Sequence, residues 1–146
     1  MRVSNEFLSN YYMCTVKIDG VTFPSVEHAY QACKCAPDDS KSRRIIRECH
    51  SVYMARQLGS LINVRSDWED IRESVMMECI HSKFALNPEL QDDLLDMSND
   101  YLVAHTNELS NFLINVRDEI VGNINVRAKL AHAEDIYERG ITCEGE

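Results

Sequence analysis

The stretch Pro24-Ser25-Val26-Glu27-His28-Ala29-Tyr30-Gln31-Ala32-Cys33 decides how this chain is read. Pro24 halts whatever precedes it, and Ser25 is a strong N-cap type. Val26, Ala29, Tyr30 and Cys33 recur at i, i+3, i+4 and i+7, which is the spacing of one helical face. Glu27, Gln31 and Lys34 recur at i, i+4 and i+7 and make a separate polar stripe. A helix is therefore predicted from Ser25. It puts the Glu27 carboxylate on the first turn, where the positive end of the macrodipole stabilises an anion. A fixed anion there suits a base, or a group facing a developing positive charge. The same pattern also fits an ordinary amphipathic helix with a favourable N-terminal Glu.

Upstream, Thr15 to Phe23 alternates around Asp19-Gly20, a strong signal for a two-residue hairpin turn. Downstream, Pro37-Asp38-Asp39-Ser40 ends the first helix, and a short basic helix follows through Arg43, Arg44 and Arg47. Val52 to Leu61 reads as helix ending near Gly59. Ser66-Asp67-Trp68-Glu69 has the S-x-x-E form of a capping box and opens a long helix toward Phe84. Trp68, Ile71, Val75 and Cys79 supply its apolar stripe. Asn87-Pro88 restarts the chain as N-cap and first helical residue. Leu90, Leu94, Leu95 and Met97 give that helix its buried side. A last helix is expected from about Val126 to Tyr137, before a frayed acidic tail over 138–146. The tetrapeptide Ile-Asn-Val-Arg occurs at Ile62–Arg65, Ile114–Arg117 and Ile124–Arg127. Its unequal spacing is not a repeat period.

The chain has 146 residues, 24 acidic and 15 basic, for a net charge of −9. One domain is expected over 1–137, large enough for a real core. The acidity argues against a general grip on nucleic acid, which depends on neutralising phosphates. It leaves room for a local basic pocket. No apolar run approaches a membrane span, and the N-terminus lacks the apolar core of an export signal. A cytoplasmic location is expected, with the six cysteines reduced. Cys33-x-Cys35 and Cys49-His50 lack the spacing of a metal site, so none is expected.

With the hairpin and helix in place, the order of motifs resembles the NADAR family (YbiA-like N-glycosidases). That signature runs S-N-F, a hairpin, then P-[ST]-x-E-H-x-x-Q-A-x-K. The chain has Ser9-Asn10-Tyr11, the hairpin, and Pro24-Ser25-Val26-Glu27-His28-Ala29-Tyr30-Gln31-Ala32-Cys33-Lys34. Tyr53 to Gly59 looks like the family's A-x-R-x-G segment. Asp67-Trp68 through Val75-Met76 looks like its W-x-x-x-K/R-x-x-V-M segment. Lys83-Phe84, Asn87, Glu89-Leu90 and Leu94-Leu95 match a further stretch, and Tyr101 to Thr106 resembles the lead-in to the last motif. The similarity runs from about Leu8 to Asp135.

The resemblance implies hydrolysis of an N-glycosidic bond, without a cofactor. It implies substrates that are phosphorylated riboflavin-pathway intermediates or ADP-ribosylated guanine in nucleic acid. Cleaving a ribosyl C–N bond builds positive charge on the sugar, which a fixed carboxylate stabilises. On this carry-over Glu27 is the central catalytic residue, and Trp68 matches the family's functional Trp. Ser9, Asn10, His28 and Gln31 match polar positions of the first motif. Lys34, Arg56 and Lys83 are candidates to hold phosphate.

The last motif departs from the family. H-T-x-N-D-x-x-W-G is replaced by His105-Thr106-Asn107-Glu108-Leu109-Ser110-Asn111-Phe112-Leu113. The family's acidic residue falls on Leu109, and Glu108 is one residue away. An expected acidic residue upstream is replaced near Ala104. The Gly-rich loop is represented by Val121-Gly122-Asn123-Ile124-Asn125. Two readings follow. One is a divergent N-glycosidase with Glu27, Trp68 and Glu108 as its catalytic set. The other is a degenerate module that binds an NAD-derived nucleotide or a protein partner without turnover. Small size, acidity and divergence would suit a phage or mobile element. The expected fold is a single α+β domain, mostly helical, with a small N-terminal hairpin.

Overall fold

In the computed structural model, which describes residues 5–139, a short 3-10 turn at Glu6–Leu8 leads into the hairpin. Strands β1 (Val16–Ile18) and β2 (Val21–Phe23) pair antiparallel, with Ile18 opposite Val21. Asp19 (φ 50°) and Gly20 (φ 81°) fill the two left-handed positions of the turn between them. That conformation suits Asp-Gly and matches the twist of the strands.

Among the described residues seven α-helices follow: α1 (Val26–Cys33), α2 (Ser40–Glu48), α3 (Val52–Gly59), α4 (Trp68–Leu86), α5 (Pro88–Leu95), α6 (Asn99–Thr106) and α7 (Ser110–Glu138), with a 3-10 turn at Asn107–Leu109 between the last two. Their starts follow the capping chemistry of the sequence. Ser25 accepts from the His28 N–H, Asp39 from Ser42, Ser51 from Tyr53 and Met54, and Ser98 from Tyr101. Helix α4 is the central element, packed against β1, α1, α5 and α7, while α1 lies among α2, α3 and α4. Phe7, Val16, Val26, Ala29, Ile80, Phe84, Leu94, Leu102, Leu113 and Val116 form the buried core between them. Phe7 meets Phe84 edge-on at 6.5 Å between ring centres.

Two local expectations are corrected, at the starts of α4 and α7. The capping box at Ser66 does not form: Asp67 is the N-cap position of α4, and its carboxylate takes two bonds from Arg65 instead. As expected, Asn87 stands at the N-cap of α5 with Pro88 first in the helix; its amide donates to the Thr15 and Lys83 carbonyls. The last helix begins sixteen residues before Val126, at Ser110, so Val121-Gly122-Asn123-Ile124-Asn125 is helix and not a Gly-rich loop. Leu113, Val116 and Ile120 at i, i+3 and i+7 anchor its first half. Helix α6 was not anticipated. Of the expected frayed tail, Glu138 is the last residue of α7, and residues 140–146 lie outside those described. Among the described residues no helix is long and apolar enough to cross a membrane.

Candidate active site

Glu27 is the second residue of α1, and its backbone N–H donates to the Asn10 carbonyl at 3.1 Å. This bond ties the loop after the first 3-10 turn to the start of α1. The side chain is 7% exposed, although it lies on the predicted polar stripe. One turn on, Gln31 Nε2 donates to Glu27 Oε2 at 2.7 Å. The i, i+4 spacing puts amide and carboxylate on one face, so a single helical turn fixes the carboxylate rotamer.

Around this pair lies a groove of about 460 Å³. Its walls include Ser9, Asn10 and Tyr11 from the loop, Tyr30 from α1, Arg56 from α3, and Glu108 with Leu109 after α6. A second hollow of about 310 Å³ shares Tyr30, Met76, Glu108 and Leu109 and continues toward Arg72 and Phe112. Arg56 donates to the Tyr11 hydroxyl, and Tyr11 meets Tyr53 edge-on. The Glu27 charge reaches both Arg56 and the Tyr30 phenol. Burial pushes the Tyr30 phenol up; Arg72 opposes that shift and Glu27 adds to it.

The fold thus gathers Ser9, Asn10, Glu27, Gln31, Arg56 and Glu108 around one cavity. The other anticipated residues stand outside its lining. Lys83 is 1% exposed and donates to the Ser9 carbonyl at 2.9 Å, so it supports the loop from behind. Burial pushes its ammonium down to about 8, with Cys14 opposing. His28 is fully buried, with Nδ1 2.7 Å from Ser25 Oγ and Nε2 3.0 Å from the Cys49 carbonyl. Burial pushes its ring down, against smaller opposing effects of the Cys49 carbonyl and Glu27. Lys34 caps the C-terminus of α1, where its carbonyl accepts from the Arg65 N–H. Trp68 packs against the ring of Tyr30, a groove residue, at 5.0 Å and is not itself part of the lining.

Tyr11, Tyr30 and Gly59 were not singled out from the sequence. Tyr30 falls on the predicted core face, yet it is half-buried because it lines the groove. Gly59 matters through the space it leaves, which a sequence pattern does not display. Leu109 lines the groove beside Glu108, so both residues reach the cavity.

The sequence profile of the NADAR domain matches residues 2–111 of the chain. The chain belongs to the NADAR family. It is 36% identical over 100 residues to N-glycosidase YbiA of Escherichia coli strain K12, an alignment covering 67% of the chain and 61% of YbiA. It is 31% identical over 134 residues to riboflavin biosynthesis protein VVA0006 of Vibrio vulnificus, covering 80% of the chain and 36% of that protein. The fold is similar to the NMR structure of E. coli YbiA, with a TM-score of 0.66 at 27% identity, over 84% of this chain and 83% of that one. The NADAR match ends at the start of α7, and most of that helix lies beyond it.

Proposed function

We propose that this NADAR protein is an N-glycosidase acting on an ADP-ribosyl or phosphoribosyl substrate. The observation that carries this reading is the buried Glu27 carboxylate, held by Gln31 at the wall of a groove that also presents Arg56 and Glu108. The names of its N-glycosidase and riboflavin-biosynthesis relatives support the reaction class. In the proposed reaction the ribosyl C1′–N bond breaks and the electron pair leaves with the nitrogen. Positive charge on the sugar faces Glu27, and water adds its oxygen to C1′. Glu27 takes a proton from that water, and Glu108 at the rim delivers one to the leaving nitrogen. Arg56 holds a phosphate, and Tyr11 and Tyr30 present ring surface to sugar or base. Trp68 and Lys83 are positioning residues, acting through Tyr30 and Ser9. The free thiols Cys14, Cys33, Cys35, Cys49 and Cys79 support a cytoplasmic setting.

A second reading rests on Leu109, which takes the place of the family's acidic residue and lines the same groove. On that reading the groove binds an NAD-derived nucleotide, and the protein does not turn it over. Two substrates separate the readings: an oligonucleotide carrying ADP-ribosylated guanine, and a phosphoribosylamino-pyrimidine. Release of ADP-ribose or ribose 5-phosphate supports the enzyme. Saturable binding of ADP-ribose with no release from either substrate supports the binder.

A further inference from the structure

We propose that the cleft between the hairpin and α2 is a second ligand site, distinct from the Glu27 groove, and that it takes a nucleotide. The cleft measures about 290 Å³. Its floor is apolar, built from Ile18, Val21, Phe23 and Pro37, and Arg43, Arg44 and Arg47 of α2 line its side. None of its lining residues belongs to the Glu27 groove.

Helix α2 concentrates positive charge in an acidic chain. Lys41, Arg43, Arg44 and Arg47 stand against one carboxylate, Glu48, within nine residues, while the whole chain carries −9. The arginines are not consumed by the fold. Arg43 Nη2 donates to the Cys35 carbonyl at 2.9 Å, but its Nε–H is buried without a hydrogen-bond partner among the described residues. Buried donors are normally paired, and this one stands on a residue of the cleft wall. Among the described residues Arg47 reaches only the exposed Glu48, at 3.5 Å. Arg44 is exposed and has no ion-pair partner among the described residues.

Guanidinium groups are suited to phosphate oxygens, which they bind through paired N–H donors. Phosphate alone does not explain the rest of the cleft. The apolar floor would gain nothing from a bare anion, and the Asp19 carboxylate on the same wall would oppose it. A ligand with phosphate at one end, a flat apolar body and N–H or O–H donors satisfies all three features. The arginines take the phosphate, the floor takes a base, and Asp19 accepts from a ribose hydroxyl or exocyclic amine. That combination is a nucleotide.

The test is a titration of the ¹⁵N-labelled full chain with ADP, followed by amide shifts and calorimetry. The account predicts saturable shifts at residues 18–23 and 40–47. Arg44→Ala combined with Arg47→Ala should weaken that binding at least tenfold and leave the circular dichroism spectrum unchanged. Arg56→Ala should leave the shifts at 40–47 as they are. Inorganic pyrophosphate should bind the same cleft at least tenfold more weakly than ADP. Shifts confined to residues 9–11 and 27–31, no binding at millimolar ADP, or equal affinity for pyrophosphate and ADP would each overturn the proposal. These outcomes do not depend on whether the Glu27 groove is catalytic.

Discussion

A β-carbon on Gly59 would lie 1.9 Å from Gln31 Oε1 and 2.7 Å from its Cδ. The last residue of α3 is thus bare where the Gln31 amide needs room to reach Glu27. The atom displaced is the end of a flexible side chain, and Gln31 Oε1 has no hydrogen-bond partner among the described residues to lose. Gly59→Ala should therefore swing the amide away and release the Glu27 carboxylate rather than unfold the protein. We expect about 10²-fold lower kcat, the scale of a misplaced catalytic group. The free energy of unfolding should change by no more than about 1 kcal/mol, because alanine also favours the helix. Steady-state kinetics beside urea unfolding checks this. An unchanged kcat would mean that the Gln31 bond does not position Glu27.

His28 should make the fold sensitive to mild acid. The buried ring is satisfied as the neutral form, with Nε2–H donating to Cys49 and Nδ1 accepting from the Ser25 hydroxyl. Its folded pKa is lowered, chiefly by burial, from the ordinary value of 6.5. Below 6.5 the unfolded chain binds a proton that the folded chain does not. This contribution is therefore fully present above that pH and is lost as pH falls toward the lowered folded value. Urea denaturation between pH 7.5 and 5 should show the loss, and His28→Gln should flatten it. Equal slopes in the two proteins would contradict the assignment.

These two residues show where sequence reading reaches and where it stops. Ser25, Glu27 and Gln31 were legible because caps and i, i+4 pairs are local. The hairpin was legible because Asp-Gly suits two left-handed residues. His28 and Lys83 looked like site residues because they sit in or near the motif. Their burial is set by Cys49 and Ser9, which are distant in sequence. Ile-Asn-Val-Arg shows the same limit. At Ile62–Arg65 it is a loop whose Val64 bridges to Cys35, at Ile114–Arg117 it is helix with Val116 buried, and at Ile124–Arg127 it is exposed helix. The tetrapeptide does not choose; its tertiary neighbours do.

Asn107 holds the turn that brings Glu108 to the groove, at φ 48° and ψ −117°. That backbone is strained for a residue with a β-carbon, and glycine adopts it freely. Asn107→Gly should raise stability by about 1 kcal/mol, and Asn107→Ala should lower it. Thermal unfolding of the two variants decides the sign. Destabilisation by glycine would show that the Asn107 side chain, not its backbone, matters there.

Lys83 is expected to act on stability first. Lys83→Ala removes a buried chain and one of the two donors to the Ser9 carbonyl, which keeps only the Tyr12 N–H. The loss should be about 2–4 kcal/mol. Chemical denaturation measures it, and a change below about 0.5 kcal/mol, the scale of surface substitutions, would contradict the supporting role.

The central claim is that Glu27 is the carboxylate that meets the charged sugar. It is tested most directly by single-turnover release of ADP-ribose from ADP-ribosylated guanine in an oligonucleotide, comparing wild type with Glu27→Gln. The phosphoribosylamino-pyrimidine, with ribose 5-phosphate as readout, runs in parallel. Glutamine keeps the shape and removes the charge. The account predicts release by the wild type and about a 10³-fold loss in Glu27→Gln with ADP-ribose affinity within tenfold, on the scale of lost electrostatic stabilisation (about 4 kcal/mol). Wild-type release from either substrate that survives in Glu27→Gln, or no release from both, would contradict it.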